Sequence, residues 1–302
     1  MILAVGCQDR SEVVVFHAAS LAQVLKKVSD AFVSAHPQYS VRLEVSGSQT
    51  AARKVAELKM RADVVAVADA AVIDRILVPE HAAWNLHFSA NEIVLAHQAH
   101  SRHTDAITSA NWTRILLEPG VRLGCVDPDL APIGYRTRHV WQLAGMQQAR
   151  ETGQAQLDQR LSERCAREHV MPDEGKLVAL LAARAVDYIF VYRSTAHEQR
   201  LKLTALPESM NLGSKALASE YARAAVEVQM SREAPKVRML GAPILYGLTV
   251  PHAAPNPAGA RQFIDFLLAQ PGQKILRRSG FSPLPAADRQ GAGVPPEFSK
   301  TR

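Results

Sequence analysis

The stretch Val13-Val-Val-Phe-His-Ala-Ala-Ser-Leu21 begins as an apolar run typical of a buried strand and ends in small and polar residues. From Ala22 to Ala35 the apolar residues have helical spacing, and Val41-Arg-Leu-Glu-Val45 then alternates like a strand. Ala51 to Lys59 favours a helix, and Asp63-Val-Val-Ala-Val67 favours another strand. Strands and helices that alternate in this order predict a parallel sheet covered by helices, so the predicted fold class is α/β.

The same alternation continues through the chain until its last residues. Further strands are predicted at 92–96, 122–126, 188–191 and 245–250, and further helices at 70–77, 112–117, 135–151, 157–163, 176–183, 257–269 and 272–278. After Ala286 the sequence is poor in large apolar residues and rich in Gly and Pro. This composition predicts a disordered tail over 286–302.

Length and composition are those of a globular protein that is large enough for two domains. The chain has 302 residues, of which 47% are hydrophobic and 21% are charged. Aromatic residues make up only 6%, and the net charge of +6 is spread without a run of five basic residues, so we expect no nucleic-acid partner. A net positive charge is compatible with an anionic small ligand.

The first residues, Met1-Ile-Leu-Ala-Val-Gly-Cys7, form a short apolar run that ends in a small residue and a cysteine. This pattern is similar to the end of a bacterial lipoprotein signal, although it lacks a basic n-region and is too short. Either residues 1–12 are the remnant of a lipoprotein-like leader, in which Cys7 provides a membrane tether, or the likeness is chance; we adopt the first interpretation. No run of 18 apolar residues follows, so no membrane span is predicted.

Three turns of small residues carry the candidate chemistry, because each lies between a strand and a helix. They are Phe16-His-Ala-Ala-Ser-Leu21, Val45-Ser-Gly-Ser-Gln-Thr50 and Asp127-Pro-Asp-Leu-Ala-Pro-Ile-Gly-Tyr135. The backbone N–H groups at a helix start, together with a serine hydroxyl, form a site for anions. A single serine in such a turn is ordinarily a helix cap, but three turns of this kind favour oxyanion binding.

At these residues the chain resembles the molybdate/tungstate-binding proteins of ABC importers, especially the tungstate-type branch. The motifs that carry the resemblance run in order from about Val13 to Pro285: His17-Ala-Ala-Ser-Leu21, Glu44-Val-Ser-Gly-Ser48, Arg61-Ala-Asp-Val-Val-Ala-Val-Ala-Asp69, Asn111-Trp112, Gly134-Tyr-Arg-Thr137, Tyr192-Arg-Ser194, Leu206-Pro207 and Gly241-Ala-Pro-Ile-Leu-Tyr-Gly-Leu-Thr-Val250.

The resemblance implies a two-lobed periplasmic-binding-protein fold of type II, with a hinge and a ligand cleft between the lobes. Lobe I is expected at 13–90 plus 248–285 and lobe II at 91–247, with crossings near 89–91 and 246–249. The implied function is capture of molybdate or tungstate for an ABC permease at the periplasmic or extracellular face, by a monomer that needs no cofactor and is not an enzyme.

The resemblance also implies the ligand-binding residues. The ligand serines fall on Ser20 and Ser48, and Ala19 adds a backbone N–H. The third turn contributes through Ala131 and Ile133, a fourth contact falls on Val191, and Tyr246 matches a tyrosine used by bacterial molybdate receptors.

The chain departs from the tungstate-type pattern at two of these positions. Ala131 and Val191 stand where that branch has carboxylates that complete a six-coordinate oxyanion. We therefore expect neutral donors around a tetrahedral anion. Without a carboxylate the site has no acceptor for the O–H of hydrogen phosphate, and an unpaired buried donor costs about 1–3 kcal/mol. Molybdate, tungstate and sulfate are thus favoured over phosphate.

Two other functions stay open at this point. One is an intracellular sensor of the same fold with shifted specificity, against which the lack of a helix-turn-helix segment argues. The other is an enzyme on the same fold that uses Cys125 or a histidine. Cys125 and Cys165 are read as two buried thiols, with a disulfide as the alternative. His97, His100 and His103 are read as a solvated loop in preference to a metal site.

Overall fold

The structure is a computed structural model that describes residues 10–153, 156–229, 235–289, 291 and 293–298. These residues divide into two compact units. Unit 1 comprises the chain up to Ala90 and from Leu245 onward, and unit 2 comprises Asn91–Ile244. The return to unit 1 lies earlier than the residue 248 predicted from the sequence. That the two units act as lobes closing on a ligand stays a prediction, and the leader proposed for residues 1–12, including Cys7, lies almost wholly outside the described residues.

Unit 1 is built on a six-stranded sheet, whose strands lie in the order Ser282–Pro283 (β13), Leu86–Asn91 (β4), Ile244–Thr249 (β12), Val64–Val67 (β3), Ser11–Ala18 (β1) and Tyr39–Ser46 (β2). The first three strands in the chain, β1, β2 and β3, run parallel, and β12 pairs antiparallel with β3. The elements of unit 1 are β1 (Ser11–Ala18), α1 (Ala22–Ala35), β2 (Tyr39–Ser46), α2 (Ser48–Ala56), β3 (Val64–Val67), α3 (Ala71–Ile76), β4 (Leu86–Asn91, whose last residue belongs to unit 2), β12 (Ile244–Thr249, whose first residue belongs to unit 2), α10 (Pro257–Leu268), α11 (Gln270–Arg278) and β13 (Ser282–Pro283).

Apolar residues of unit 1 pack on both faces of this sheet. On one face, Phe16, Val65 and Val67 join a buried cluster with residues of α2 and α3, such as Val55 and Ile73. Phe32 of α1 packs edge to face on Phe263 of α10, with ring centroids 5.4 Å apart. The amphipathic spacing seen in the sequence therefore places the helices against the sheet.

The predicted disordered tail is wrong for much of its length. Ala286–Asp288 and Pro296–Phe298 form short 3-10 turns. The buried Arg289 guanidinium donates to the carbonyl oxygens of Leu284 (3.1 Å) and Leu268 (3.2 Å), and the ring of Phe298 lies 5.6 Å from that of Trp84. One arginine and one aromatic ring hold a segment whose overall composition favours disorder.

Unit 2 contains a five-stranded sheet, whose strands lie in the order Val170–Met171 (β7), Leu123–Val126 (β6), Tyr188–Tyr192 (β8), Ile93–His97 (β5) and Lys202–Ala205 (β9). A separate pair is formed by Ala225–Val228 (β10) and Val237–Leu240 (β11). Strands β6, β7 and β8 run parallel, whereas β5 runs antiparallel to β8 and β9. The elements of unit 2 are β5 (Ile93–His97), α4 (Trp112–Leu117), β6 (Leu123–Val126), α5 (Pro132–Thr152), α6 (Leu157–Glu163), β7 (Val170–Met171), α7 (Glu174–Ala182), β8 (Tyr188–Tyr192), α8 (Arg193–Glu198), β9 (Lys202–Ala205), α9 (Ala218–Tyr221), β10 (Ala225–Val228) and β11 (Val237–Leu240).

A disulfide fastens α6 to the central sheet of unit 2. Cys125 of β6 is bonded to Cys165, which follows α6, and their Cα atoms are 6.0 Å apart. The interpretation of these residues as two thiols is therefore wrong. The spacing of 40 residues gives no sign of the pairing, because only the packing of α6 brings Cys165 to the end of β6.

The described helices and histidines were compared with the requirements of a membrane span and of a metal site. No helix in the described part of the chain is long and apolar enough to cross a membrane. His97 is buried, with its Nδ1 2.8 Å from Thr104 Oγ1, so it does not belong to a solvated loop. Among the described residues, no cluster of three or more His, Cys, Asp or Glu side chains is arranged to hold a metal ion.

Candidate functional site

Unit 1 brings the ends of three parallel strands to one side of its sheet. Ala18 of β1 pairs with Ser46 of β2, and His17 pairs with Ala66 of β3, so the three strands end at nearly the same level. The turns that follow them therefore leave the sheet together, at the edge where open α/β sheets bind ligands. We call residues 18–21, 46–50 and 67–70 the first edge.

The turn after β1 presents its small residues to solvent. Ala19–Leu21 form a 3-10 turn that leads directly into α1. Leu21 is buried and anchors the turn, whereas Ala19 and Ser20 are exposed. Neither the 3-10 turn nor α1 has a side-chain cap, so Ser20 is not used as the helix cap that a serine in this position ordinarily provides.

The turn after β2 places a serine hydroxyl between two strand ends. Ser48 is the first residue of α2, and its Oγ accepts the backbone N–H of Ala68 at 3.1 Å. A hydroxyl that accepts one hydrogen bond retains its own proton for donation. Ser46, which the sequence does not single out, has a buried Oγ without a hydrogen-bond partner among the described residues. The first edge thus carries hydroxyl groups whose donors are not used by the protein itself.

The first edge contains no cation of its own. His17 is buried, with Nδ1 3.0 Å from the carbonyl oxygen of Ala18, and burial lowers the pKa of its ring. The ring is therefore neutral at pH 7. At the turns 18–21 and 46–50 an anion is met by hydroxyl and N–H dipoles, since neither turn contains a lysine or arginine. The carboxylate of Asp69, in the third turn of this edge, is paired with Arg75 at 3.5 Å.

Tyr246 lies on β12 of unit 1 and is buried. Its ring packs against those of Phe281 (5.2 Å) and Phe88 (6.3 Å). The preceding residue, Leu245, accepts the backbone N–H of Ala70 at 3.0 Å, which fixes the strand beside the turn after β3. A role for the Tyr246 hydroxyl at the first edge stays a prediction.

In unit 2 the strands β6, β7 and β8 also run parallel, so the starts of α5, α7 and α8 follow strand ends on the same side of the sheet. We call residues 127–136, 172–174 and 191–195 the second edge.

The third turn offers one backbone donor at the start of α5. The N–H of Ala131 donates to the Asp127 carbonyl oxygen (3.3 Å), and that of Gly134 donates to Ala131 (2.9 Å). Ile133 occupies the second position of the helix, where an N–H has no acceptor within the helix. At Gly134 a Cβ would lie 2.6 Å from the Asp127 carbonyl oxygen, so only glycine lets the helix start this close to β6.

The structure corrects the predicted contact at Val191. Its side chain is fully buried. Arg193 N–H donates to Glu92 O (2.9 Å) and continues the β5–β8 ladder, in which Val94 lies opposite Val191. Hydrogen-bonded pairs alternate in an antiparallel ladder, so the N–H of Val191 is used by β5 and that of Tyr192 faces the other way.

That N–H of Tyr192 is bound by a carboxyl group which the sequence does not predict at this edge. Glu174, the first residue of α7, accepts it at 2.9 Å through Oε1, and its carboxyl group also bonds the Thr195 side chain. The pKa of Glu174 is raised to about 7, mainly by burial and in part by nearby Glu198, while both hydrogen bonds and Arg136 act in the opposite direction. The resemblance indicates carboxylate positions only at 131 and 191, which are Ala and Val in this chain. The signal that points to this one is the acidic pair Asp173-Glu174 at a helix start after a short strand.

The two arginines of the second edge have different partners. Arg136 Nη1 donates to the Tyr192 hydroxyl at 2.6 Å, and the guanidinium lies 5.5 Å from the ring centre. Arg193 forms an ion pair with Glu92 at 2.9 Å, and Glu92 also accepts from Asn211 at 2.8 Å. Arg193 is therefore part of a structural network, whereas Arg136 brings positive charge to the end of β8.

Comparison with known proteins identifies the family. Residues 13–282 match the family described as bacterial extracellular solute-binding protein. The chain is 39% identical over 269 residues to an uncharacterized solute-binding protein of Petrotoga mobilis, and the aligned region covers 89% of this chain and 83% of that protein. It is 30% identical over 292 residues to the molybdate/tungstate-binding protein of Thermococcus kodakarensis, and the aligned region covers 89% of this chain and 81% of that protein.

Solved structures show the same fold. The periplasmic molybdate-binding protein of Azotobacter vinelandii matches with a TM-score of 0.58 at 15% identity, over 89% of this chain and 98% of that one. The sulfate-binding protein of Mycobacterium tuberculosis matches with a TM-score of 0.60 at 15% identity, over 91% and 88%. The predicted α/β fold of periplasmic binding proteins is confirmed, and so is the family resemblance. The chain is a solute-binding protein of the ABC-transporter type and belongs to the family of bacterial extracellular solute-binding proteins.

Proposed function

We propose that this protein captures a fully deprotonated tetrahedral oxyanion, molybdate or tungstate, and delivers it to the permease of an ABC transporter. The molybdate/tungstate-binding relative from Thermococcus kodakarensis, similar over 89% of this chain, supports this choice of ligand. The similar proteins named above are binding proteins, which supports capture of the anion without turnover.

The observation that carries the proposal is the first edge. Two serines, Ser20 and Ser48, follow two adjacent parallel strands whose ends are in register. Ser20 is exposed and uncapped, and Ser48 is held by Ala68 with its proton available. Together with the N–H of Ala19, these groups are the hydrogen-bond donors that a tetrahedral oxyanion accepts at helix starts. The hydroxyl of Tyr246 is proposed as a further donor.

In unit 2, the N–H of Ile133 at the start of α5, which follows Ala131 and Pro132, is proposed as a separate oxyanion donor. Alanine at 131 and valine at 191 leave those two positions without carboxylates. A dianion is therefore met by neutral dipoles there, and hydrogen phosphate finds no acceptor for its O–H at either position. A hydrogen-phosphate O–H that points at either of these two positions is left unpaired, which costs about 1–3 kcal/mol and corresponds to tenfold or greater discrimination against phosphate in that orientation.

The disulfide supports a location outside the cytoplasm. Disulfides persist in oxidising compartments and are rare in cytosolic proteins, and Cys125 is paired with Cys165. The match to the extracellular family supports the same location, and we propose that the protein acts at the periplasmic or extracellular face. A tether through Cys7 and a monomeric state complete the proposal.

Isothermal titration of the purified, anion-stripped protein with molybdate, tungstate, sulfate and phosphate tests the proposed function. We expect tight binding of molybdate and tungstate, weaker binding of sulfate and no heat with phosphate. Tighter binding of phosphate than of molybdate, or no heat with any of the four anions, overturns the proposal.

A further inference from the structure

The second edge holds one carboxyl group in a fixed position among the starts of three helices. Glu174 begins α7, and its Oε1 accepts the N–H of Tyr192 at the end of β8 (2.9 Å). Its second contact is the side chain of Thr195, in the first turn of α8. These two partners come from different elements, so the carboxyl group cannot turn away from the end of β8 without losing hydrogen bonds.

Charged and titratable groups from every neighbouring element surround this carboxyl group. Arg136 approaches from α5 and Glu198 from α8, and both act on it electrostatically. The side chain of Tyr192, the last residue of β8, contacts Arg136. On its own helix, the neighbouring Asp173 is engaged as the N-cap, where its side chain accepts the N–H of Lys176 at 2.8 Å. Arg136 in turn donates to the Tyr192 hydroxyl at 2.6 Å.

We propose that Glu174 is a specificity-determining residue whose proton is required for oxyanion binding: a neutral carboxyl group at the end of β8 admits a dianion, and a carboxylate repels it. The inference rests on the proposed function and deepens it. Ala131 and Val191 leave the ends of β6 and β8 without the carboxylates of the tungstate-type pattern, so Glu174 is the carboxyl group found beside Tyr192 in the described part of the second edge.

The consequence is that binding takes up a proton. When the protein with an ionised Glu174 binds molybdate, one proton moves from the solvent to Glu174, and the anion stays fully deprotonated. Because burial raises the pKa of Glu174 to about 7 in the free protein, the proton is already present below neutrality and must be acquired above it. Affinity for molybdate is therefore highest at acid pH and falls as the pH rises through neutrality.

Isothermal titration with molybdate from about pH 6 to about pH 8, in two buffers of different ionisation enthalpy, measures both quantities. We expect the affinity of the wild type to fall about tenfold over this range, with close to one proton taken up per anion at the upper end. Glu174→Gln, which mimics the neutral form, should bind with nearly constant affinity and take up no proton. Glu168→Gln, a change at an exposed residue of the same unit, should behave like the wild type.

The outcomes separate this inference from the proposed function. Molybdate binding by the wild type without proton uptake, or with a pH dependence that Glu174→Gln retains, overturns the inference and leaves the proposed function intact. Absence of molybdate binding by the wild type at every pH overturns both. If Glu174→Gln does not fold, the proton uptake of the wild type and the shifted pH midpoint expected for Glu174→Asp decide the question, and an unshifted midpoint contradicts it.

Discussion

The first and second edges follow the same plan and differ in where their chemistry comes from. Both consist of parallel strand ends followed by helix starts. At the first edge the donors belong to the turns themselves, Ser20 and Ser48. At the second edge the turn supplies one N–H, from Ile133, while Arg136 and Glu174 reach the end of β8 from helices. The turns after β1 and β2 thus provide fixed dipoles, whereas at the end of β8 the charged groups come from neighbouring helices.

Because of this difference, we expect the first edge to determine how tightly the anion binds and the second edge to determine how that affinity changes with pH. Hydroxyl and N–H dipoles at the first edge are insensitive to pH, because the groups do not titrate near neutrality and the ring of His17 is held neutral by burial. The second edge contains a carboxyl group that changes charge near neutrality. We therefore expect changes at the first edge to alter affinity at every pH, and changes at Glu174 to alter its pH dependence.

The largest expected effect is on affinity, from removal of both serine hydroxyls of the first edge. Ser20→Ala and Ser48→Ala each leave the bound anion one donor short, so each weakens molybdate binding by about 1–3 kcal/mol. The double variant approaches the sum of the two losses if the sites act independently. Isothermal titration at two pH values measures these changes, which should be equal at both.

A matched control for these variants is Ser34→Ala, which removes an exposed hydroxyl near the end of α1. It should leave both affinity and stability unchanged. Unaltered affinity in both Ser20→Ala and Ser48→Ala would remove the first edge from the site.

The second-largest expected effect is a loss of unfolding free energy in unit 2 but not in unit 1. Replacing Cys125 and Cys165 by serine opens a 40-residue loop in unit 2, and loss of a disulfide of this span costs about 2–4 kcal/mol of unfolding free energy. Urea denaturation, monitored by amide hydrogen exchange, should show reduced protection of unit 2 while β1–β3 of unit 1 remain protected. Equal loss of protection in both units would contradict the assignment of two separately packed cores.

The smallest effect concerns the pH dependence of stability in the anion-free protein. The folded-state pKa of Glu174 is raised from 4.5 to about 7, so its contribution to stability is fully present below 4.5 and is lost as the pH rises to about 7. Over this window the Tm of the wild type should fall by a few degrees relative to that of Glu174→Gln. Thermal melts by circular dichroism measure the difference, and parallel curves for the two proteins would show that Glu174 titrates at its ordinary pKa.

Sequence patterns predict the fold and the first edge because the relevant information is local. The apolar run at Val13–Phe16 and the small residues up to Leu21 specify a strand, a turn and a helix without reference to the rest of the chain. The turns at 45–50 and 127–135 are likewise predicted between a strand and a helix, although α2 begins at Ser48 and α5 at Pro132, three residues earlier than predicted in each case. The local conformation of such a turn therefore determines the positions of the residues within it.

The second edge is not predictable in the same way, because its contacts join residues that are distant in sequence. Whether Val191 or Tyr192 presents its N–H depends on which side of β8 is covered by β5. Glu174 meets Tyr192 only through the packing of α7 against β8, and Cys125 meets Cys165 only through that of α6. A composition rule likewise misses the contact between Phe298 and Trp84 that holds the tail.

The central claim is that the oxyanion is held by neutral donors and keeps its tetrahedral geometry. X-ray absorption at the molybdenum edge, on the protein loaded with molybdate, tests this most directly. We predict a four-coordinate metal with the oxygen distances of free molybdate, at acid and at neutral pH alike. A six-coordinate metal, with added oxygen ligands that disappear in Glu174→Gln, would contradict the account and make that carboxylate a ligand of the metal.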